Sequence, residues 1–143
     1  MPLYVLHHLR PPPAIVNGIN EGRMGSAAAG DAIQRAMIGG DATAALALGF
    51  YRPVATVRCS GLDELFRLTN HIDSDWTKNP GVLDVAHPAR STSMGDLAFS
   101  LSDETVSICA MLGWRPLPDE SLARQVISSS RDFLDRLANT QRS

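Results

Sequence analysis

The sequence predicts an α+β fold: a small, mostly antiparallel sheet of about four strands, with helices packed on one face and a C-terminal helix. Three observations carry this. Leu97, Phe99 and Leu101 alternate with Ala98 and Ser100, and Val106, Ile108, Ala110 and Leu112 alternate with Ser107, Cys109 and Met111. Two period-2 runs joined by the polar link Ser102-Asp103-Glu104 form a β-hairpin. Leu62, Leu65, Phe66 and Thr69 trace a helical stripe, and Leu122, Val126, Phe133 and Leu137 trace another, with Ser130 a weak step between them. Two further segments, 3–9 and 51–59, are rich in branched and aromatic residues without helical spacing.

Taken in order, residues 3–9 are the first strand, ended by Arg10-Pro11-Pro12-Pro13, because proline removes ladder donors and fixes φ. Within it, His7 and His8 should face opposite sides of the sheet, each as a half-buried structural histidine. Residues 14–25 hold Asn17, Gly18, Asn20, Gly22 and Gly25 and read as a loop. Residues 26–38 are alanine-rich and read as a helix, with Ser26 at the N-cap, Ile33 and Met37 toward the core, and Gly39-Gly40 as the stop. Asp41 can cap a short helix over 42–48. This helix–turn–helix unit carries no Arg, Lys, Asn or Gln on its second helix, so it is a poor reader of base edges. Small alanines packing closely, within the fold or across a dimer, fit better.

The second strand covers 53–59, preceded by Tyr51. A helix over 61–71 follows, with Ser60 and Asp63 resembling a capping box and Asp63 and Glu64 suiting the positive end of the dipole. Residues 73–90 contain Pro80, Gly81 and Pro88 and read as one long loop. The hairpin strands are 97–101 and 105–112, closed by Pro116 and Pro118. Asp119 caps a helix over 119–138, and 139–143 fray. Leu65, Phe66, Phe99, Ile108, Val126 and Phe133 are the expected core.

The chain has 143 residues, 44% of them hydrophobic and 20% charged, with a net charge of −2. That is one domain of ordinary globular composition, and the charge argues against a broad electrostatic grip on nucleic acid. Cys59 and Cys109 form no CxxC pair, and His7, His8, His71 and His87 form no HExxH or Cys/His cluster, so neither a metal nor a cofactor is expected. No stretch reaches the ~20 apolar residues of a membrane span. A cytoplasmic protein with no membrane contact is the expectation.

Residues 62–117 run through the helix LDELFRLTN ending in Asn70, the turn RSTSMGD, the strand LAFSL and the closing CAMLGW. In that order these pieces resemble the YodL-like domain of bacterial and phage mobile-element proteins. The stretch SDWTKNPGVLDVAHPA is long for that pattern, and the alanine-rich insertion 24–50 and the tail 119–138 lie outside it. The resemblance implies a mobile-element setting and no transferable reaction.

Two segments hold the candidate functional residues. In RSTSMGD, the hydroxyls of Ser91, Thr92 and Ser93 can bond nearby backbone, Gly95 permits positive φ, Asp96 can accept from backbone N–H groups, and Arg90 can pair with Asp96 or Asp73. The same residues could face an anionic ligand, with Arg90 on a phosphate or carboxylate. In NHIDSDWTKNP, His71 and Asp73 could do acid–base work, Lys78 adds a cation, and Trp76 either anchors the loop on the core or serves as a protein contact. No catalytic constellation is complete. The expected function is a non-enzymatic binding protein of a phage or mobile element, an inhibitor of a host defence complex, contacting a host or element protein through Trp76 and the Arg90 surface. A homo-oligomer is compatible. The alternatives are a small-ligand or nucleic-acid module built on RSTSMGD, and an enzyme centred on His71 and Asp73.

Overall fold

The strand Leu3–Leu9 (β1) is apolar except for its two histidines, and all but its first residue is buried. A strand this dry must be covered on both faces and paired on both edges. The computed structural model, which describes residues 1–22, 27–71, 74–86 and 90–142, shows both. β1 lies between Tyr51–Arg58 (β2) and Leu97–Ser100 (β4), in a six-stranded sheet of order β3-β2-β1-β4-β5-β6. The others are Val82–Val85 (β3), Thr105–Ala110 (β5) and Gly113–Pro116 (β6), and every pairing is antiparallel.

The helices are Pro13–Asn20 (α1), Ala27–Met37 (α2), Thr43–Ala47 (α3), Leu62–Thr69 (α4) and Glu120–Arg142 (α5), with one 3-10 turn at Trp76–Lys78. They divide between the two faces of the sheet. On one face Val5, Leu9, Leu97, Phe99, Val106 and Ile108 meet Val126 and Phe133 of α5 and the alanines of α2 and α3. On the other, Tyr4, Leu6, Val54, Val57 and Ala98 meet Leu65 of α4 and Trp76. The expectation of helices on one face is therefore corrected: α4 and α5 lie on opposite faces. Two adjacent strand residues report this directly, since His7 bonds Ser130 of α5 while His8 packs near Trp76.

Six strands replace about four for identifiable reasons. β3 is four residues inside a stretch dominated by Pro80, Gly81 and Pro88. β6 ends on Pro116, and an edge strand tolerates proline because one side needs no donor. Met111 and Leu112, expected in the strand, form the β5–β6 turn and are 68% and 89% exposed. α1 occupies the expected loop; its proline sits in the first helical turn, where no N–H is needed, and Ile15 and Ile19 share one inward face.

The helices α2 and α3 bury Ala29, Ala32, Ala36 and Ala45, small enough to bring helix backbone close to the sheet. At Gly95 a Cβ would lie 3.2 Å from the Met37 backbone. Ile33 is only partly buried and Met37 is 37% exposed, so the alanines, not that pair, make the core face. The expected cap Ser26 lies outside the described residues. Asp41 and Asp119 accept from the N–H groups of Thr43 and Ser121 at the starts of α3 and α5. At α4 it is Glu64, not Asp63, that reaches back to the Ser60 N–H. Phe66 is half-buried, and α5 runs to Arg142, past the expected end at 138.

Candidate functional site

The RSTSMGD turn enters β4 through Gly95, whose φ of +95° is open to glycine and strained for other residues. Gly95 is pinned on both sides: its N–H donates to Cys109 O at 2.8 Å, and its carbonyl accepts from the Tyr51 hydroxyl at 2.6 Å. Asp96 follows with its carboxylate fully buried. Oδ1 accepts from Leu9 N at 2.8 Å and Arg90 Nη2 at 2.7 Å; Oδ2 accepts from Ser93 N at 2.7 Å and Arg90 Nη1 at 2.8 Å. Arg90 also donates to Leu9 O at 3.0 Å and Ser91 O at 2.8 Å. A buried carboxylate is tolerated only when its lone pairs are filled, and here a bidentate guanidinium and two backbone donors fill them.

The cluster extends to α4 and to the core. Thr92 N donates to Thr69 O, and Asn70 Nδ2 donates to Thr92 O at 2.6 Å. Ser91 Oγ donates to His71 O at 2.7 Å and accepts from His71 N at 3.2 Å. Trp76 Nε1 donates to Arg90 O at 2.9 Å, with the indole 2% exposed. The His8 ring, centred 6.1 Å from that indole, places Nε2 at 3.1 Å from Thr92 Oγ1 and 3.7 Å from Asp96 Oδ2. Burial, joined by the nearby Arg90 and Arg10 charges, outweighs Asp96 and pushes the His8 pKa down to about 4. The imidazole is therefore neutral near pH 7. Its Nδ1 has no hydrogen-bond partner among the described residues.

Arg90, Ser91, Ser93 and Asp96 thus converge, but on one another and on β1. They hold the end of α4, the turn and the end of β1 in register. The Arg90 side chain is 42% exposed, yet its terminal donors are aimed at Asp96 and two carbonyls, so little of it is left to grip an anion. Trp76, half of the expected contact surface, is packed inside, which is the anchoring role. Lys78 is exposed at the end of the 3-10 turn, and Asp73 lies outside the described residues. No group of three His, Cys, Asp or Glu among the described residues is placed to hold a metal ion.

The second buried histidine also has a structural use. His7 Nε2 lies 2.7 Å from Ser130 Oγ, which itself donates to Val126 O at 2.8 Å. The hydroxyl has one proton, so His7 must carry its own on Nε2 and donate it. Burial, followed by the neighbouring His8, pushes the His7 pKa down to about 3.

Two surface concavities were not anticipated from sequence. An apolar groove of about 350 Å³ runs between α1 and α2, lined by Pro11, Val16, Ile19, Ile33, Met37 and Ile38, with Asn20 and Gln34 at its polar positions. A wider cleft of about 870 Å³ lies between α4 and β3 and contains His71, Arg58 and Arg67. The i, i+3 pair Val16/Ile19 was the sequence signal for the wall of the first. Nothing local in sequence joins Arg58 to Arg67 and His71.

No family model matches the chain, and no curated protein or solved structure matches it.

Proposed function

We propose that this protein works by binding another protein, and that the groove between α1 and α2 is the contact surface. The observation that carries this reading is a cluster of large apolar side chains left in solvent: Val16 at 38%, Met37 at 37% and Ile38 at 61% exposed, grouped on one concave site. Scattered exposed apolar residues are ordinary, but a grouped, concave set is what a partner's aromatic or aliphatic anchor fills. A groove between two helices also suits the apolar face of a partner helix.

The resemblance of residues 62–117 to YodL-like domains supports the setting: a phage or mobile-element protein acting on a host protein, with inhibition of a host defence complex as the activity. The groove lies outside that stretch, in α1 and the alanine-rich segment, where an activity particular to this chain would reside. The turn that carries Arg90 and Asp96 supports this reading indirectly, since its Gly95, held by Cys109 and Tyr51, lies close against Met37 of α2.

The test is affinity capture from host lysate with the wild type and with Val16→Asp/Ile38→Asp. Both positions are exposed, so the variant should keep its circular dichroism spectrum and melting temperature while losing every partner that the wild type retains. An undiminished set of partners would refute the groove as the contact surface.

A further inference from the structure

We propose that the cleft between α4 and β3 is a second binding site, one that takes an oxyanion, carboxylate or phosphate, carried on an apolar body. Its floor and rim are apolar: Met1, Leu68, Pro80 and Leu83, the last 54% exposed. Its charged lining is Arg58, Arg67 and Glu64, with His71 beside them. In a chain of net charge −2 this is a local excess of positive charge.

The cations are only lightly committed. Arg58 Nη1 donates to Met1 O at 3.1 Å, and Arg67 Nη2 meets Glu64 Oε2 at 3.4 Å, a long contact between side chains 69% and 30% exposed. The His71 imidazole has no hydrogen-bond partner among the described residues, although its backbone is held at both N and O by Ser91. This is the converse of Arg90, whose two terminal nitrogens are taken up by a buried carboxylate and two backbone carbonyls. Guanidinium groups recognise oxyanions through paired N–H donors, and two of them over an apolar floor suit a ligand with a charged head and a greasy body.

The walls are fixed before any ligand arrives. Asn79 Nδ2 donates to Leu68 O at 2.7 Å, tying the loop to the last turn of α4. Arg58 N donates to Gly81 O at 2.7 Å, and Gly81, at φ +92°, comes so close that a Cβ there would lie 2.5 Å from Arg58 O. A site with set walls loses less freedom on binding than a mobile one.

Calorimetric titration with octanoate, octyl phosphate and inorganic phosphate tests this. The wild type should bind at least one of the two octyl compounds saturably, with Kd below about 1 mM, and inorganic phosphate at least about tenfold more weakly. Which octyl compound binds identifies the head group. Arg58→Gln/Arg67→Gln should weaken binding by about tenfold or more, and Leu83→Asp should do the same through the floor. Glu64→Gln keeps the acceptor for the Ser60 N–H and removes the competing charge, so it should tighten binding about two- to fivefold. Absence of saturable binding by either octyl compound, equal affinity for inorganic phosphate, or affinity unchanged in the arginine and Leu83 variants would overturn the proposal. Weaker binding by the Glu64 variant would overturn the anion assignment.

Discussion

Replacing Asp96 by asparagine is the sharpest perturbation of the brace, because it keeps the shape and removes the charge. The carboxylate accepts from Leu9 N, Ser93 N and both terminal nitrogens of Arg90. Asparagine retains one acceptor oxygen and turns the other into an NH2 donor, so one of the two backbone N–H groups then faces a donor. An unsatisfied buried donor costs about 1–3 kcal/mol. The ion pair contributes less than its geometry suggests, because the Arg90 side chain is 42% exposed and water screens it; about 1 kcal/mol is the fair figure. Together these give a loss of about 2–4 kcal/mol, a large share of the ~5–15 kcal/mol of a typical domain. Urea unfolding followed by circular dichroism reads this as a lower midpoint at constant slope. Asp96→Ala, which strips both backbone donors, should cost more than the asparagine. An Asp96→Asn variant within about 0.5 kcal/mol of wild type would refute the assignment of this cluster as structural.

Acid should destabilise the fold through its two buried histidines. Their folded pKa values, about 3 for His7 and about 4 for His8, lie below the unfolded value of 6.5, so the unfolded chain takes up protons first as pH falls. Stability is full above pH 6.5 and declines below it, by up to about 1.4 kcal/mol per pH unit per histidine until the folded pKa is reached; a flat profile of melting temperature from pH 7 to 5 would contradict this. Ser130→Ala leaves the His7 Nε2–H without its acceptor in the core and should cost about 1–3 kcal/mol in the same urea assay, where an exposed mid-helix serine would give none. Trp76→Phe, losing the bond to Arg90 O, should cost about 0.5–1.5 kcal/mol, and Trp76→Ala about 3–5 kcal/mol; a neutral alanine would show the indole to be outside the core.

What was legible in sequence followed signals that are local. The alternation that makes strands of 97–100 and 105–110, the stripe of 62–69 and the aspartate caps at 41 and 119 are each set by a few neighbouring residues. So was the turn chemistry of RSTSMGD, although sequence left Arg90 with two candidate partners, Asp96 and Asp73, and the fold pairs it with Asp96. What escaped depended on distant partners. β3 and β6 are four residues each and become strands only because β2 and β5 offer free edges. The split of helices over two faces is fixed by tertiary contacts such as His7 with Ser130, which are 123 residues apart. Ser130 reads as a flaw in an apolar stripe until its imidazole partner is seen. Trp76 carries the same aromatic signal whether it anchors a core or an interface, and only its burial decides. The apolar groove and the cationic cleft each join segments with no common motif.

The most direct measurement of the brace is amide hydrogen exchange at Ser93 by NMR. Ser93 lies outside any strand or helix, and its N–H has one partner to protect it, the buried Asp96 carboxylate at 2.7 Å. If the turn is architecture, this loop amide exchanges as slowly as those of the neighbouring strands and loses its protection in Asp96→Ala, which removes both acceptor oxygens. Exchange at the rate of an exposed loop amide in the wild type would contradict it.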